Sequence, residues 1–485
     1  MNNYICLDIG ASSGKMSLAK LVDGKIVFEK LHVFKNLMIK KAGEYFWDVD
    51  SFFSEIIIGL KKAKSAGIDN CYLGIDTWGV DYVSLNEKGE RVMGAYSYRD
   101  NRTVDFFKKH KGVFDKETMY LETGIVSHEF NTVYQLYVQK IWEQEEVKKI
   151  LLMPDYFIYR LTGEMIAEAT NLSTTQLFDI DKKDFIPEIL EKLKIDKSLF
   201  GRVVYPGEEI GFIKEELIEE YDLPKCKVIA VASHDTSSAI ASAPLETEDD
   251  VFISSGTWSL LGIESKERII NKLTFKSGFT NQLGVEDSIT FLKNIAGMWI
   301  LQEIENNLSN KFDIEELLNE ALKNDSFNYI MDCEDIRYLN PENMIFEIWK
   351  YFEQTRQNIP HNIGALIRCV VDSLALCYYD NIKQLCELTN KEINKIYILG
   401  GGSRNKILNQ EVANISKKIV VAGPSDATMI GNVIVQMIAK NEIKDIKEAR
   451  KIIKESFEIE TYRPDGEDYK YVINKYNLIK EMRKE

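Results

Sequence analysis

The chain has 485 residues, 45% of them hydrophobic and 28% charged, with a formal net charge of −15. That length exceeds what one hydrophobic core serves and predicts two or three domains. The acidic balance argues against nucleic acid as a partner, because binders of nucleic acid present a basic face. Seven cysteines form no C-x-x-C pair and five histidines show no metal-ligand spacing, which points to reduced thiols in a cytoplasmic protein without a zinc site. No apolar run approaches the roughly 18 residues of a membrane span, so no membrane is expected either.

In chain order, residues 4–9 (YICLDI) read as a buried strand. Strands at 15–21 and 26–34 follow, joined at Asp23-Gly24, a favoured hairpin turn. Phe52, Phe53, Ile56, Ile57, Leu60 and Ala63 share one face of a helix over about 50–66. A strand at 71–76 and a hairpin through 82–98 come next, then helical periodicity at 131–149 and 153–162. Residues 228–232 (VIAVA) read as a buried strand, and 251–263 as strand–turn–strand. A long helix over about 362–389, a strand at 396–399 and a helix at 426–439 complete the interleaving. The pattern is that of an α/β protein.

The stretch LDIGASSGKM, residues 7–16, approaches a nucleotide-binding P-loop and fails twice. Three residues rather than four separate Gly10 from Gly14, and Met16 rather than Ser or Thr follows Lys15. It has an echo instead: SSGKMSL at 12–18 and SSGTWSL at 254–260 agree at five of seven positions, each between two predicted strands. A duplicated domain is the natural inference, each half carrying one Ser/Gly hairpin. Two such hairpins would grip a polyphosphate, since glycine admits close backbone approach and successive N–H groups form an anion nest. An acidic protein would thereby bind ATP without a basic patch.

Three aspartates end strands or follow them: Asp8, Asp76 and Asp235, the last in SHDTSSA. Strand ends are where α/β proteins place their chemistry. One carboxylate is suited to Mg²⁺, which keeps few protein ligands, and another to accepting a proton from an attacking hydroxyl. Asp235 is equally placed to cap a helix. GGGSRN at 400–405 follows a strand and offers bare backbone to a flat ligand such as adenine or ribose. The charged tail, 465–485, reads as a solvated helix.

The chain resembles the FGGY carbohydrate kinases almost end to end. The resemblance rests on DIGASSGK (8–15), WDVDS (47–51), GIDTWGVDY (74–82), YRDNRT (98–103), FNTVYQL (130–136), LLMPDYFIYRLTG (151–163), ASHDTSSA (232–239), ISSGTWSL (253–260), LKNIAGMWILQE (292–303) and GGGSRN (400–405). It implies an actin-like fold of two RNase H-like domains around a cleft: 1–244 with the sugar site and first phosphate hairpin, 245–455 with the nucleotide site, and a helical tail over 456–485. It implies that Ala11, Ser12, Ser13, Gly14, Lys15 and Thr257 contact ATP phosphates, with Gln302 and Gly401 near the nucleotide. Gly79, His234, Asp235, Thr236 and Asn294 would line the sugar site, Asp235 accepting the proton and Asp8 standing by Mg²⁺. The implied partners are ATP and a ketose, L-rhamnulose being expected and xylulose, fuculose or ribulose the alternatives, with monomer and homodimer both open. Three departures bear on this. Lys15 stands where the family usually has Arg, a point charge in place of a bidentate fork. Asn281-Gln282-Leu283-Gly284 replaces an expected Asn-Glu-Gly-Gly, and residues 126–129 (VSHE) replace a Gln–Phe–Leu–Pro-like run.

Overall fold

A computed structural model describes residues 2–36, 38–309 and 311–482. The chain forms two compact units. The first contains Met1–Ser242, Ser265–Phe291 and Ala427–Ser456; the second contains Ala243–Glu264, Leu292–Asp426 and Phe457–Glu485.

The first unit is built on β1 (Tyr4–Ile9), β2 (Ser13–Val22), β3 (Lys25–Lys35), β4 (Asn70–Thr77), β5 (Glu209–Phe212) and β6 (Lys225–Ile229), in the sheet order β5-β6-β4-β1-β2-β3. β1, β2 and β3 form an antiparallel meander, while β4 runs parallel to β1 and β6 parallel to β4. Alternation decides what each face meets. Ile5, Leu7 and Ile9 of β1 and Leu73 and Ile75 of β4 join a core with Phe52, Ile56 and Leu60 of the helix Val49–Ser65. On the opposite face the helix Ala427–Ala439 lies against β1 and β4, where Gln436 Nε2 donates to the Ile5 carbonyl at 3.1 Å. Gly74 makes this approach possible: a Cβ there would stand 2.6 Å from Val231 and 2.7 Å from Gln436 Nε2.

The second unit repeats the plan. Strands β7 (Val251–Ser255), β8 (Trp258–Ser265), β9 (Ile289–Ala296), β10 (Lys395–Leu399), β11 (Ile419–Ala422) and β12 (Glu460–Tyr462) follow the order β9-β8-β7-β10-β11-β12. β7 and β8 are antiparallel, β7, β10 and β11 parallel. In both units a meander feeds a helix and then a parallel strand beside the first, the helices being Val49–Ser65 and Ile363–Thr389. This is a mixed α/β fold of two RNase H-like units.

Several expectations need correction. The boundary is not one cut at 244/245, because residues 265–291 and 427–456 belong with the first unit; the helix Ala427–Ala439 supplies the amides that β1 and β4 bury. The segment 456–485 is not a free helical tail: β12 pairs with β11, and Tyr476 and Ile479 of the helix Lys470–Met482 are buried. Tyr82–Leu85 pairs with Lys149–Leu152 rather than closing a hairpin through residue 98. The helix expected over 131–149 is confined to Thr132–Val138, and Lys140 just beyond it adopts a left-handed φ of 47°.

Replacing Gly74 with Ala should lower stability by about 1–3 kcal/mol through overpacking, read as a lower urea midpoint. An unchanged midpoint would contradict the packing described.

Candidate functional site

The turn after β1 comprises Gly10 to Ser13. Gly10 N–H donates to the Ser13 carbonyl at 2.9 Å, and Asn36 holds both sides, its N–H on the Ser12 carbonyl at 3.0 Å and its side-chain amide on the Gly10 carbonyl. Ser12 is exposed, and Ala11 and Ser13 are half-buried. Gly14, the second residue of β2, lies under the Phe34 ring, which a Cβ would penetrate. Lys15 lies opposite Asp8 in the β1–β2 register, with its side chain exposed.

Asp8 also lies opposite Asp76 in the parallel β1–β4 register. Asp76 is fully buried, and Asn432 Nδ2 donates to its Oδ2 at 2.6 Å. Burial first, and then the neighbouring Asp8 charge, push its carboxyl well above the usual range. Among the described residues no group of three or more His, Cys, Asp or Glu is arranged as a metal cage. A half-buried Asp8 with hard oxygen donors fits Mg²⁺ all the same, since that ion keeps several waters and takes few carboxylates.

β4 leads to the sugar-site candidates. Thr77 N–H donates to the Ser233 carbonyl at 2.9 Å, which docks the segment before the helix Asp235–Ala241 onto the strand end. Asp235 opens that helix, with its side chain about one-third exposed. Thr236 Oγ1 donates to Asp235 Oδ1 at 3.2 Å, and His234 Nε2 stands 3.6 Å from the same oxygen. Burial lowers the His234 pKa against the opposing pull of Asp235, and its Nδ1 has no hydrogen-bond partner. Gly79 packs so closely that a Cβ would sit 2.9 Å from Thr174 Oγ1. Next to it Val80 adopts φ 69°, costly for a β-branched residue. Its carbonyl is held by Thr132 Oγ1 at 2.7 Å and Gln135 Nε2 at 3.3 Å. Asp81 is the buried centre of this wall, accepting from Trp47 Nε1 at 2.7 Å, Trp78 Nε1 at 2.9 Å and Gln135 Nε2 at 3.0 Å.

Asp8, the Gly10–Ser13 turn, Gly14, Lys15, Gly79, His234, Asp235 and Thr236 thus lie in the first unit. Thr257, Asn294, Gln302 and Gly401 lie in the second. Thr257 is exposed in the turn between β7 and β8, where Gly256 N–H donates to the Trp258 carbonyl at 2.9 Å. Asn294, exposed on β9, borders a cavity of about 180 Å³ with Trp258, Trp299 and Asp335. Gln302 is exposed on the helix Trp299–Asn307. Of the three glycines after β10, Gly400 and Gly402 abut Ser255, and Gly401 alone of the three has open space above it. The bare surface expected of GGGSRN is therefore one residue wide.

The echo of 12–18 with 254–260 is not a structural alignment. β1 ends at Ile9 and β7 at Ser255, so Gly10 corresponds to Gly256, whereas the matched serines fall in a turn in one unit and at the end of a strand in the other. The two segments that depart from the expected pattern are each tied to a residue flanking the other. Val126 N–H donates to Thr280 Oγ1 at 3.2 Å, and Asn281 N–H to the Gly124 carbonyl at 2.9 Å.

Family models for the FGGY family of carbohydrate kinases match residues 3–241, as the N-terminal domain, and 251–440, as the C-terminal domain. The chain belongs to the FGGY family of carbohydrate kinases. This FGGY kinase is 43% identical to the rhamnulokinase of Bacillus subtilis (strain 168) over 473 residues, 98% of each chain. It is 42% identical to the rhamnulokinase of Enterococcus faecalis over 468 residues, covering 96% of this chain and 95% of that protein. In fold it is similar to a ligand-bound xylulose kinase from Lactobacillus acidophilus, with TM-score 0.80, 17% identity, and 99% and 96% of the two chains covered. It is also similar to Plasmodium falciparum glycerol kinase with ADP, with TM-score 0.78, 13% identity, and 100% and 98% covered. Among the described residues no helix is long and apolar enough to cross a membrane.

The His234 ring should titrate below the ordinary value of about 6.5, observed by NMR. The unfolded chain then binds the proton first, so this group's stability contribution is complete above about pH 6.5 and is lost as pH falls towards the folded pKa. Urea midpoints should consequently fall more steeply on acidification in the native chain than in His234→Asn. Equal slopes, or titration above 6.5, would contradict the environment described.

Proposed function

We propose that this FGGY kinase transfers the γ-phosphoryl group of ATP to O1 of L-rhamnulose, with Asp235 as general base. The substrate assignment is carried by near-full-length identity of 37–43% to seven relatives that all bear the name rhamnulokinase. The assignment of Asp235 is supported by its position. It is a partly exposed carboxylate on the first residue of a helix docked at the end of β4, with Thr236 and His234 both at its Oδ1; a base that meets a substrate hydroxyl needs to be reachable.

Phosphoryl transfer asks the protein for in-line positioning and charge neutralisation more than covalent chemistry. The Asp235 carboxylate takes the O1 proton as the O1–P bond forms, and the P–O bond to the β-phosphate breaks to release ADP. The Gly10–Ser13 turn, whose outer face is exposed and whose shape Asn36 fixes, offers backbone N–H groups and the Ser12 and Ser13 hydroxyls to phosphate oxygens. Lys15 adds a point charge beside that turn. Asp8 would hold Mg²⁺, which supplies charge neutralisation at the phosphates when bound. Neutral His234 and Gly79, backed by the Asp81–Trp47–Trp78 wall, shape the sugar side. In the second unit, Thr257, Gln302 and the open Gly401 are assigned to ATP and Asn294 to the sugar. ATP and a ketose are thus the proposed partners, in a cytoplasmic enzyme.

The test assays the native chain and Asp235→Asn on L-rhamnulose, xylulose, fuculose and ribulose with Mg-ATP. L-Rhamnulose should give the highest kcat/KM, and the variant should lose at least about 10²-fold in kcat, the scale of general-base catalysis. A different preferred ketose would overturn the substrate, and near-native kcat in the variant would overturn the base.

A further inference from the structure

Asp235 owes its place to the two residues before it, and those are anchored by a carboxylate that lies far off in sequence. Glu168 is fully buried. Its Oε2 accepts from Ser233 Oγ at 2.6 Å, Ser233 N–H at 3.1 Å, Thr170 Oγ1 at 2.6 Å and Asn171 N–H at 3.2 Å, and its Oε1 from Thr170 N–H at 3.0 Å. The segment that Glu168 organises grips the same two residues again. Thr170 Oγ1 accepts from His234 N–H at 3.3 Å, and Asn171 Nδ2 donates to the Ser233 carbonyl at 3.3 Å and the Trp78 carbonyl at 3.3 Å. Ser233 N–H, Ser233 C=O, Ser233 Oγ and His234 N–H are thus all held by Glu168, Thr170, Asn171 and Thr77. Asp235 is the next residue.

We propose that Glu168 is a positioning residue for phosphoryl transfer, acting through Ser233 to fix the Asp235 carboxylate where the sugar hydroxyl arrives. The inference rests on Asp235 being the base. A buried carboxylate surrounded by five neutral donors is a costly device for packing alone, since an apolar side chain would fill the volume without desolvating a charge. Burial raises the Glu168 pKa, and the Ser233 and Thr170 hydrogen bonds work against that rise, so the donors favour the charged form that accepts all five. One carboxylate thereby joins the Ser233 segment to the segment bearing Asn171, which touches Trp78 beside Gly79. The base and the sugar wall share one anchor.

A double-mutant cycle decides between positioning and general structural support. Glu168→Gln should lower kcat by about 10–100-fold, the scale of a small misplacement of a reacting group, with KM for ATP within about threefold. Ser233→Ala, which removes the hydroxyl contact alone, should lower kcat in the same direction by a smaller factor. In the Asp235→Asn background, Glu168→Gln should change the residual rate less than about twofold, because the group it positions is gone. Equal losses in both backgrounds would overturn the proposal, as would native kcat in Glu168→Gln. If Glu168→Gln does not fold, the Ser233→Ala cycle is read by the same criterion. Near-native activity of Asp235→Asn alone is the separate outcome that removes the base itself and the proposal with it; an inactive Asp235→Asn beside a fully active Glu168→Gln removes only the proposal.

Discussion

The parallel pairing of β1 with β4 is the constraint on which the first unit's site depends. It sets Asp8 beside Asp76 at neighbouring strand ends, and the next residue of β4, Thr77, docks the segment that carries Asp235. A half-buried carboxylate and a fully buried one on adjacent strands repel each other, the more so for being shielded from water. The structure relieves this with protons and neutral donors. Asp76 is driven towards its protonated form by burial and by Asp8, and Asn432 satisfies one of its oxygens. Asp8 stands just before the Gly10–Ser13 turn proposed for phosphate, and Asp235 opens the helix docked at Thr77 and proposed for the sugar. Those are the two positions at which the proposed phosphoryl transfer uses a negative side chain.

The same economy explains why an acidic protein can serve as an ATP-dependent kinase. The elements proposed to bind its phosphates are backbone turns, shaped by residues that carry no charge. Asn36 clamps the first turn from both sides, and the glycines after β10 make room for the end of β7. The net charge of −15 therefore says little about the local field at the phosphates.

Sequence periodicity revealed what was local. The meander β1–β3, the helix Val49–Ser65 and the helix Ile363–Thr389 are legible because their apolar spacing is regular and their ends carry turn or cap residues. The region 82–149 departs from its sequence pattern because Tyr82–Leu85 finds its partner strand at Lys149–Leu152, a pairing that no window of adjacent residues reveals. Among site residues, Asp8 and Asp235 could be picked out from their places at strand ends. Asn36, Glu168 and Asn432 could not, because they act on residues 26, 65 and 356 positions away, and in sequence they look like ordinary polar residues. The duplicated plan of the two units was inferable, but the serine match that suggested it is out of register. Ser12 stands in a turn and Ser254 in a strand, while Gly10 and Gly256 hold the equivalent places.

The proposed kinase chemistry requires the Asp235 carboxylate to meet the sugar hydroxyl while the Gly10–Ser13 turn meets phosphate. A crystal structure of Asp235→Asn with Mg-ATP and L-rhamnulose tests it most directly. The residue 235 side chain should lie within about 2.6–3.2 Å of O1, and backbone N–H groups of the turn within about 2.7–3.2 Å of phosphate oxygens. A sugar bound with O1 out of reach of residue 235, or a nucleotide bound away from the turn, would contradict it.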